Sequence, residues 1–203
     1  MLDVRDLEVV YQRGGEPAAR DVTLTLGPGD AVLLTGEHGS GKTSVLRAVL
    51  GLVVASGEVT VLGRPAASPE VAARRGYGPQ GRAFMEGHTP RQLVHLVAAL
   101  RMGRSAADIA DEALERAGIP HERRRVTARS LDVEEIRRVA LACAIATDPD
   151  LIVLDDPWEF PETALEIERA RARGAAVLVA TDEAGGFTSL LGRTITLVEG
   201  APT

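Results

Sequence analysis

A chain of 203 residues, 45% apolar and 26% charged, has the composition of an ordinary globular protein and the length for one domain with a sizeable core. The net charge of −6 argues against nonspecific nucleic-acid binding, and no apolar run reaches the length needed to span a bilayer. The N-terminal stretch MLDVRDLEVV lacks the apolar region of a secretory signal, and the single cysteine, Cys143, cannot form an internal disulfide, which together suit the cytosol.

Leu2 to Tyr11 mixes Val and Leu with charge and predicts a strand. A Gly14-Gly15 turn leads to a second strand over Asp21 to Leu26, closed by Gly27-Pro28-Gly29. Ala31 to Thr35 is short and nearly all apolar, the pattern of a buried parallel strand. Lys42 to Leu52 places Val45, Leu46, Val49 and Leu50 at helical spacing, and Gly57 to Gly63 is a further short strand. The middle third changes character: Thr89 to Met102 and Ser105 to Ala117 are amphipathic, with Ser105 as an N-cap and Gly118-Ile119-Pro120 as a stop. Arg123-Arg124-Arg125 reads as a solvated basic face.

Asp132 to Ala146 predicts a third helix, in which Cys143 reads as a small buried hydrophobe rather than a reactive thiol. Leu151 to Leu154 is a buried strand that runs into two carboxylates, Asp155 and Asp156. A charged helix follows Pro161 as far as Arg173, and strands at Ala175 to Thr181 and Arg193 to Glu199 close the chain. Aromatics make up only 3%, so Ala, Val and Leu must build the core. Strands alternating with helices predict an α/β domain with a largely parallel sheet, and residues 84–130 stand out as an inserted helical lobe.

One segment carries chemistry by itself. Gly36-Glu37-His38-Gly39-Ser40-Gly41-Lys42-Thr43 fits G-x-x-x-x-G-K-[ST] without a mismatch, after an apolar strand and before a helix. The glycines let backbone N–H groups converge on phosphate oxygens, the helix start adds partial positive charge, and Lys42 adds a full one. Thr43 offers a hydroxyl to magnesium, which takes a few protein oxygens together with phosphate. The loop therefore predicts binding of ATP with Mg2+.

Around that loop, the order of segments resembles the nucleotide-binding domain of an ABC transporter over nearly the whole chain. Gly76-Tyr77-Gly78-Pro79-Gln80 is similar to the family's Q-loop, and Leu151 to Pro157 to its Walker B strand. The closing strand, Leu191 to Gly200, matches as well. The resemblance implies a P-loop NTPase fold: a RecA-like, mostly parallel core sheet, an N-terminal antiparallel β region and an inserted α-helical subdomain. It implies a core lobe at about 1–83 and 131–203 and a helical lobe at about 84–130. It places Tyr11 where an aromatic stacks on adenine, although Tyr11 alone reads as a packed strand residue. Asp155 takes the magnesium position with Thr43, and Gln80 lies within reach of the magnesium or the attacking water.

Four positions depart from the family pattern. The general base, usually Glu, is here Asp156, about 1.5 Å shorter in reach, and a base must come within hydrogen-bond distance of its water. The switch histidine is Asp182, a carboxylate where phosphate is expected. The signature Leu-Ser-Gly-Gly-Gln becomes Leu131-Asp132-Val133-Glu134-Glu135, in which Asp132 and Glu135 predict a capping box that uses the helix's own N–H donors. The D-loop is replaced by Trp158-Glu159-Phe160-Pro161, whose aromatics are either core or an altered interface.

The resemblance implies an ATP-binding subunit at the inner face of the cell membrane, acting on separate transmembrane permease subunits and paired with a second nucleotide-binding subunit. The departures imply slow or absent hydrolysis, with Asp156, Gln80 and Asp182 as the residues on which turnover depends. A soluble nucleotide-gated regulator or scaffold of the same fold stays open as the alternative. A P-loop kinase fits less well, since no lid arginines or acceptor site stand out.

Overall fold

The computed structural model describes residues 1–12, 14–81, 87–102, 106–183 and 185–203. Strands β1 (Leu2–Val9), β2 (Ala19–Leu26), β4 (Ser56–Val61) and β5 (Arg64–Pro65) form an antiparallel sheet in the order β2-β1-β4-β5. The second sheet has six strands in the order β10-β9-β3-β8-β7-β6. Its members are β3 (Ala31–Thr35), β6 (Arg75–Gly78), β7 (Leu151–Asp155), β8 (Ala176–Thr181), β9 (Arg193–Val198) and β10 (Ala201–Pro202), parallel throughout except for the β9–β10 pair. The expected α/β class, with an antiparallel N-terminal region and a parallel core, is the fold observed. The first strand stops at Val9, two residues short of Tyr11.

Side-chain direction on the central strands explains how the core divides. Val32 and Leu34, Leu151 and Val153, and Leu178 and Ala180 face α1 (Lys42–Val49) and the antiparallel sheet. Their neighbours Leu33, Ile152, Leu154, Val177 and Val179 face the helical side. Because both faces are covered, β3, β7 and β8 read as continuous apolar runs rather than alternating ones. In β1 the buried residues Val4 and Leu7 lie three apart, which a regular strand cannot present on one face. A bulge resolves this: Asp6 takes φ 48°, its N–H donates to Thr23 Oγ1 at 3.0 Å, and the pairing shifts register between Val4 and Leu7.

The helical side consists of α3 (Pro90–Met102), α4 (Ala107–Arg116), α5 (Val133–Ile145) and α6 (Pro161–Ala172). Two one-turn helices, α2 (Pro69–Ala72) and α7 (Phe187–Leu190), lie in connections, and 3-10 turns occupy His121–Arg123 and Ala128–Ser130. The expected cap Ser105 lies outside the described residues. Helix α3 begins instead with a reciprocal cap: Gln92 N donates to Thr89 Oγ1 at 3.2 Å, and Thr89 N donates to Gln92 Oε1 at 2.9 Å. Helix α5 lies directly against β6, because a Cβ at Gly76 would fall on the Ala144 carbonyl. Cys143 is buried in this helix, and burial pushes its thiol up to about 12.

The basic run corrects the sequence reading. Only Arg125 is exposed. Arg124 is buried, its Nε donating to the Ile119 carbonyl at 3.0 Å and its Nη1 to the Asp111 carbonyl at 3.2 Å. Arg123 pairs with Glu135 and donates to the Ser130 carbonyl at 3.1 Å. The several donors of the Arg124 guanidinium thus tie the buried Ile119 carbonyl, after α4, to the Asp111 carbonyl within that helix.

The capping box at the start of α5 is present as predicted. Glu135 N donates to Asp132 Oδ1 at 2.8 Å, and Asp132 N donates to Glu135 Oε2 at 3.0 Å. Asp132→Ala is expected to lower stability by about 1 kcal/mol, read as a shift in denaturant midpoint at unchanged slope.

Candidate nucleotide site

The site assembles where the parallel strands end. Thr35 closes β3 and leads into residues 36–43, while Asp155 closes β7, Thr181 closes β8, and β6 runs through Gly78 and Pro79 to Gln80. In open parallel sheets such carboxyl-terminal edges form the ligand crevice. A cavity of about 210 Å³ lies here, lined by His38 to Ser44, Gln80, Asp155, Asp156 and Asp182, with Ala18 from just before β2.

The loop geometry needs its glycines. Gly36, Gly39 and Gly41 have φ of 146°, 84° and 94°, and a Cβ at Gly41 would collide with the Ala18 carbonyl. Gly41 is also the N-cap of α1, and no side chain caps that helix. Its first N–H groups open toward the cavity, the arrangement that holds phosphate. Lys42 Nζ is drawn back over the loop, donating to the Gly36 carbonyl at 2.7 Å and the Glu37 carbonyl at 2.8 Å. Glu37 and His38 occupy the turn itself, and Ser40 is buried beneath it.

Asp155 is 5% exposed and accepts from Thr43 Oγ1 at 3.3 Å and from the Tyr77 hydroxyl at 3.5 Å. Burial, chiefly, and the neighbouring Asp156 charge raise its carboxyl above the usual carboxylate range, against the pull of the Thr43 and Tyr77 hydroxyls. The same burial pushes Tyr77 up to about 12. A buried carboxylate beside a hydroxyl, at the edge of a phosphate-shaped cavity, suits magnesium, whose binding would relieve that desolvation. The residues present therefore fit Mg-ATP.

The other expected site residues fall as follows. Tyr11 is 53% exposed, its hydroxyl donating to Ser44 Oγ at 3.3 Å and accepting from Arg47 Nη1 at 3.4 Å. Gln80 is exposed, and its Nε2 donates to Asp156 Oδ2 at 3.2 Å. Asp182 is exposed at the cavity rim and has no hydrogen bond or ion pair among the described residues. Asp156 has a left-handed backbone, φ 52°, and its N–H donates to the Ala180 carbonyl at 2.7 Å. Its carboxylate also meets Arg137 at 2.9 Å and Thr181 Oγ1 at 3.2 Å.

Sequence reading missed Tyr77, Thr181 and Arg137. Strand alternation could have found Tyr77, since it pairs with Val153 two residues before Asp155. Arg137 reaches Asp156 across 19 residues of chain, and no local pattern marks it. Of the two readings of the aromatics that replace the D-loop, core does not hold for Trp158. Trp158 is 40% exposed with Arg137 stacked over it at 4.6 Å, and Phe160 lies 4.3 Å from Arg138.

Fold and site together define a P-loop nucleotide-binding cassette. A dimeric ATP-binding cassette solved in a post-hydrolysis state with ADP and Pi superimposes with a TM-score of 0.89 at 21% identity, covering 100% of this chain and 96% of that one. The ABC transporter family model matches residues 19–159, and the chain belongs to that family. It is 34% identical over 182 residues to the zinc import ATP-binding protein ZnuC of Cereibacter sphaeroides, covering 86% of this chain and 70% of that protein. It is 29% identical over 228 residues to the oligopeptide transport ATP-binding protein OppD of Mycobacterium bovis, covering 98% of this chain and 37% of that protein.

Proposed function

We propose that the chain is an ATP-binding subunit of an ABC-type transporter that binds Mg-ATP at residues 36–43 and hydrolyses it slowly or not at all. The uncapped start of α1, set behind a glycine loop and beside the buried Asp155, is the observation that carries the binding half of this reading. Backbone N–H groups of the loop and Lys42 would hold the phosphates, while Thr43 and Asp155, with Gln80 nearby, would hold Mg2+. When bound, that ion neutralises phosphate charge and orients the terminal phosphoryl group. Tyr11 would contact the base, although its hydroxyl is tied to Ser44 and Arg47.

The slow half rests on the arrangement of acids. Asp156 is short and already engaged by three side-chain donors, Asp182 brings negative charge to the rim, and Asp132 and Glu135 use the N–H donors at the start of α5. In this reading residues 84–130 act as a helical lobe on a core of about 1–83 and 131–203. A second nucleotide-binding subunit completes the assembly, and separate permease chains cross the membrane. No helix among the described residues is long and apolar enough to do so. The relatives handle cargoes as different as zinc and oligopeptides, so the cassette itself carries no mark of substrate.

The test is calorimetric titration with Mg-ATP together with hydrolysis assays, alone and with the products of neighbouring genes. Saturable binding with turnover far below that of ordinary transporters is expected. Hydrolysis at ordinary rates by the chain alone, abolished by Asp156→Asn, would overturn the slow-turnover reading. The internally capped α5 also fits a soluble nucleotide-gated regulator. Co-purification with a multi-span membrane protein excludes that alternative.

A further inference from the structure

Asp156 is held at its backbone and at both carboxylate oxygens. Its amide is pinned to Ala180, and Thr181 Oγ1 donates to Oδ1 at 3.2 Å. Oδ2 is shared by Gln80 Nε2 at 3.2 Å and Arg137 Nη2 at 2.9 Å. The Arg137 and Asp156 side chains are only 20% and 17% exposed, so water screens their attraction less than it would a surface pair. The guanidinium is backed by the Trp158 ring at 4.6 Å, and Trp158 packs on Phe160 with ring centroids 5.5 Å apart. Arg138, the next residue, lies over Phe160 and pairs with Glu162 at 2.9 Å. Two consecutive arginines of α5 thus fasten that helix to the turn after β7.

We infer that Arg137 is a positioning residue that locks the Asp156 carboxylate, and that this lock, beyond the short reach of Asp156, holds ATP hydrolysis down. The inference rests on the nucleotide-binding reading above. In hydrolysis, the water oxygen bonds to the terminal phosphorus while the bond to the bridging oxygen breaks. The water's proton passes to the base, and ADP and phosphate leave. A carboxylate whose two oxygens already accept three side-chain donors has little acceptor capacity left to face the water, and the same contacts keep it from turning toward it. Stacking on Trp158 holds the guanidinium against the carboxylate and raises the cost of swinging away. Glutamine at position 137 would keep a donor and much of the length while removing the charge.

The experiment compares the full chain with Arg137→Gln, Arg137→Lys and the double variant Arg137→Gln/Asp156→Asn, measuring Mg-ATP affinity and single-turnover hydrolysis for each. Arg137→Gln should raise the single-turnover rate about a hundredfold, the lower end of what one positioned proton acceptor contributes, at unchanged affinity. Arg137→Lys, which restores the charge, should return the rate toward that of the unaltered chain, and the double variant should lose the gain. A rate for Arg137→Gln equal to or below that of the unaltered chain, including one undetectable in both, overturns the lock. The nucleotide reading fails differently: Mg-ATP then does not bind the unaltered chain, or binds it no more tightly than Lys42→Ala, and the lock falls with it.

Discussion

Lys42→Ala is expected to abolish measurable Mg-ATP binding. A unit charge about 4 Å from a phosphate oxygen at an effective dielectric near 20 contributes about 4 kcal/mol, close to a thousandfold in affinity. Few other cations are placed to replace it. Arg47 on the same helix is drawn toward the Tyr11 hydroxyl, and Arg137 is held by Asp156. The loop should keep its shape, because its turns rest on glycine dihedrals and on the Ser40 N–H donating to the Glu37 carbonyl at 3.1 Å. Calorimetry beside circular dichroism separates lost affinity from lost fold. Retention of affinity within about tenfold would show that the phosphates are not held at this loop.

Glu166→Ala is expected to lower stability strongly for a change to a charged residue. Glu166 lies on α6 at 2% exposure and accepts from Arg116 Nε at 3.1 and 3.2 Å and from Arg169 Nη1 at 2.5 Å. Removing one partner of a buried pair costs about 3–5 kcal/mol, because the remaining charge stays desolvated. Asp148, 3.1 Å from Arg116 Nη2, moderates this and places the expectation near the lower end, about 3 kcal/mol. The double change Arg116→Met/Glu166→Leu should recover most of the loss, since an apolar pair of similar volume carries no desolvation cost. Urea denaturation of both variants tests the pair. If the double variant is as unstable as the single one, the carboxylate supplies more than its pairing with Arg116.

The sequence disclosed whatever is written locally. Residues 36–43 are contiguous, the Asp132–Glu135 cap spans one helical turn, and the apolar runs of β3, β7 and β8 follow from burial on both faces. Contacts between distant segments were hidden. Arg124 read as solvated because nothing in a run of three arginines tells which will turn inward to the Asp111 and Ile119 carbonyls. Arg116 and Glu166 lie fifty residues apart and carry no pattern that pairs them. At the site, the resemblance brought Asp155, Asp156 and Gln80 to one place. That Asp156 is ion-paired depends on the depth at which α5 lies on β6, which Gly76 permits and no motif records. The bulge at Asp6 is an exception among local features: Val4 and Leu7 stand three apart in the sequence, but which side of the strand each takes is settled only by its pairing with β2.

The arginine-backed ring of Trp158 also gives the molecule a built-in optical gauge. The chain has one tryptophan, so all indole emission arises from the turn after β7. A cation resting on the indole face alters that emission, and at 40% exposure the ring is open to small-molecule quenchers. Any event that parts α5 from this turn, whether nucleotide uptake or docking of another chain, therefore changes both the colour of the fluorescence and the ease of quenching it. The unlabelled protein reports on its own lock in a cuvette.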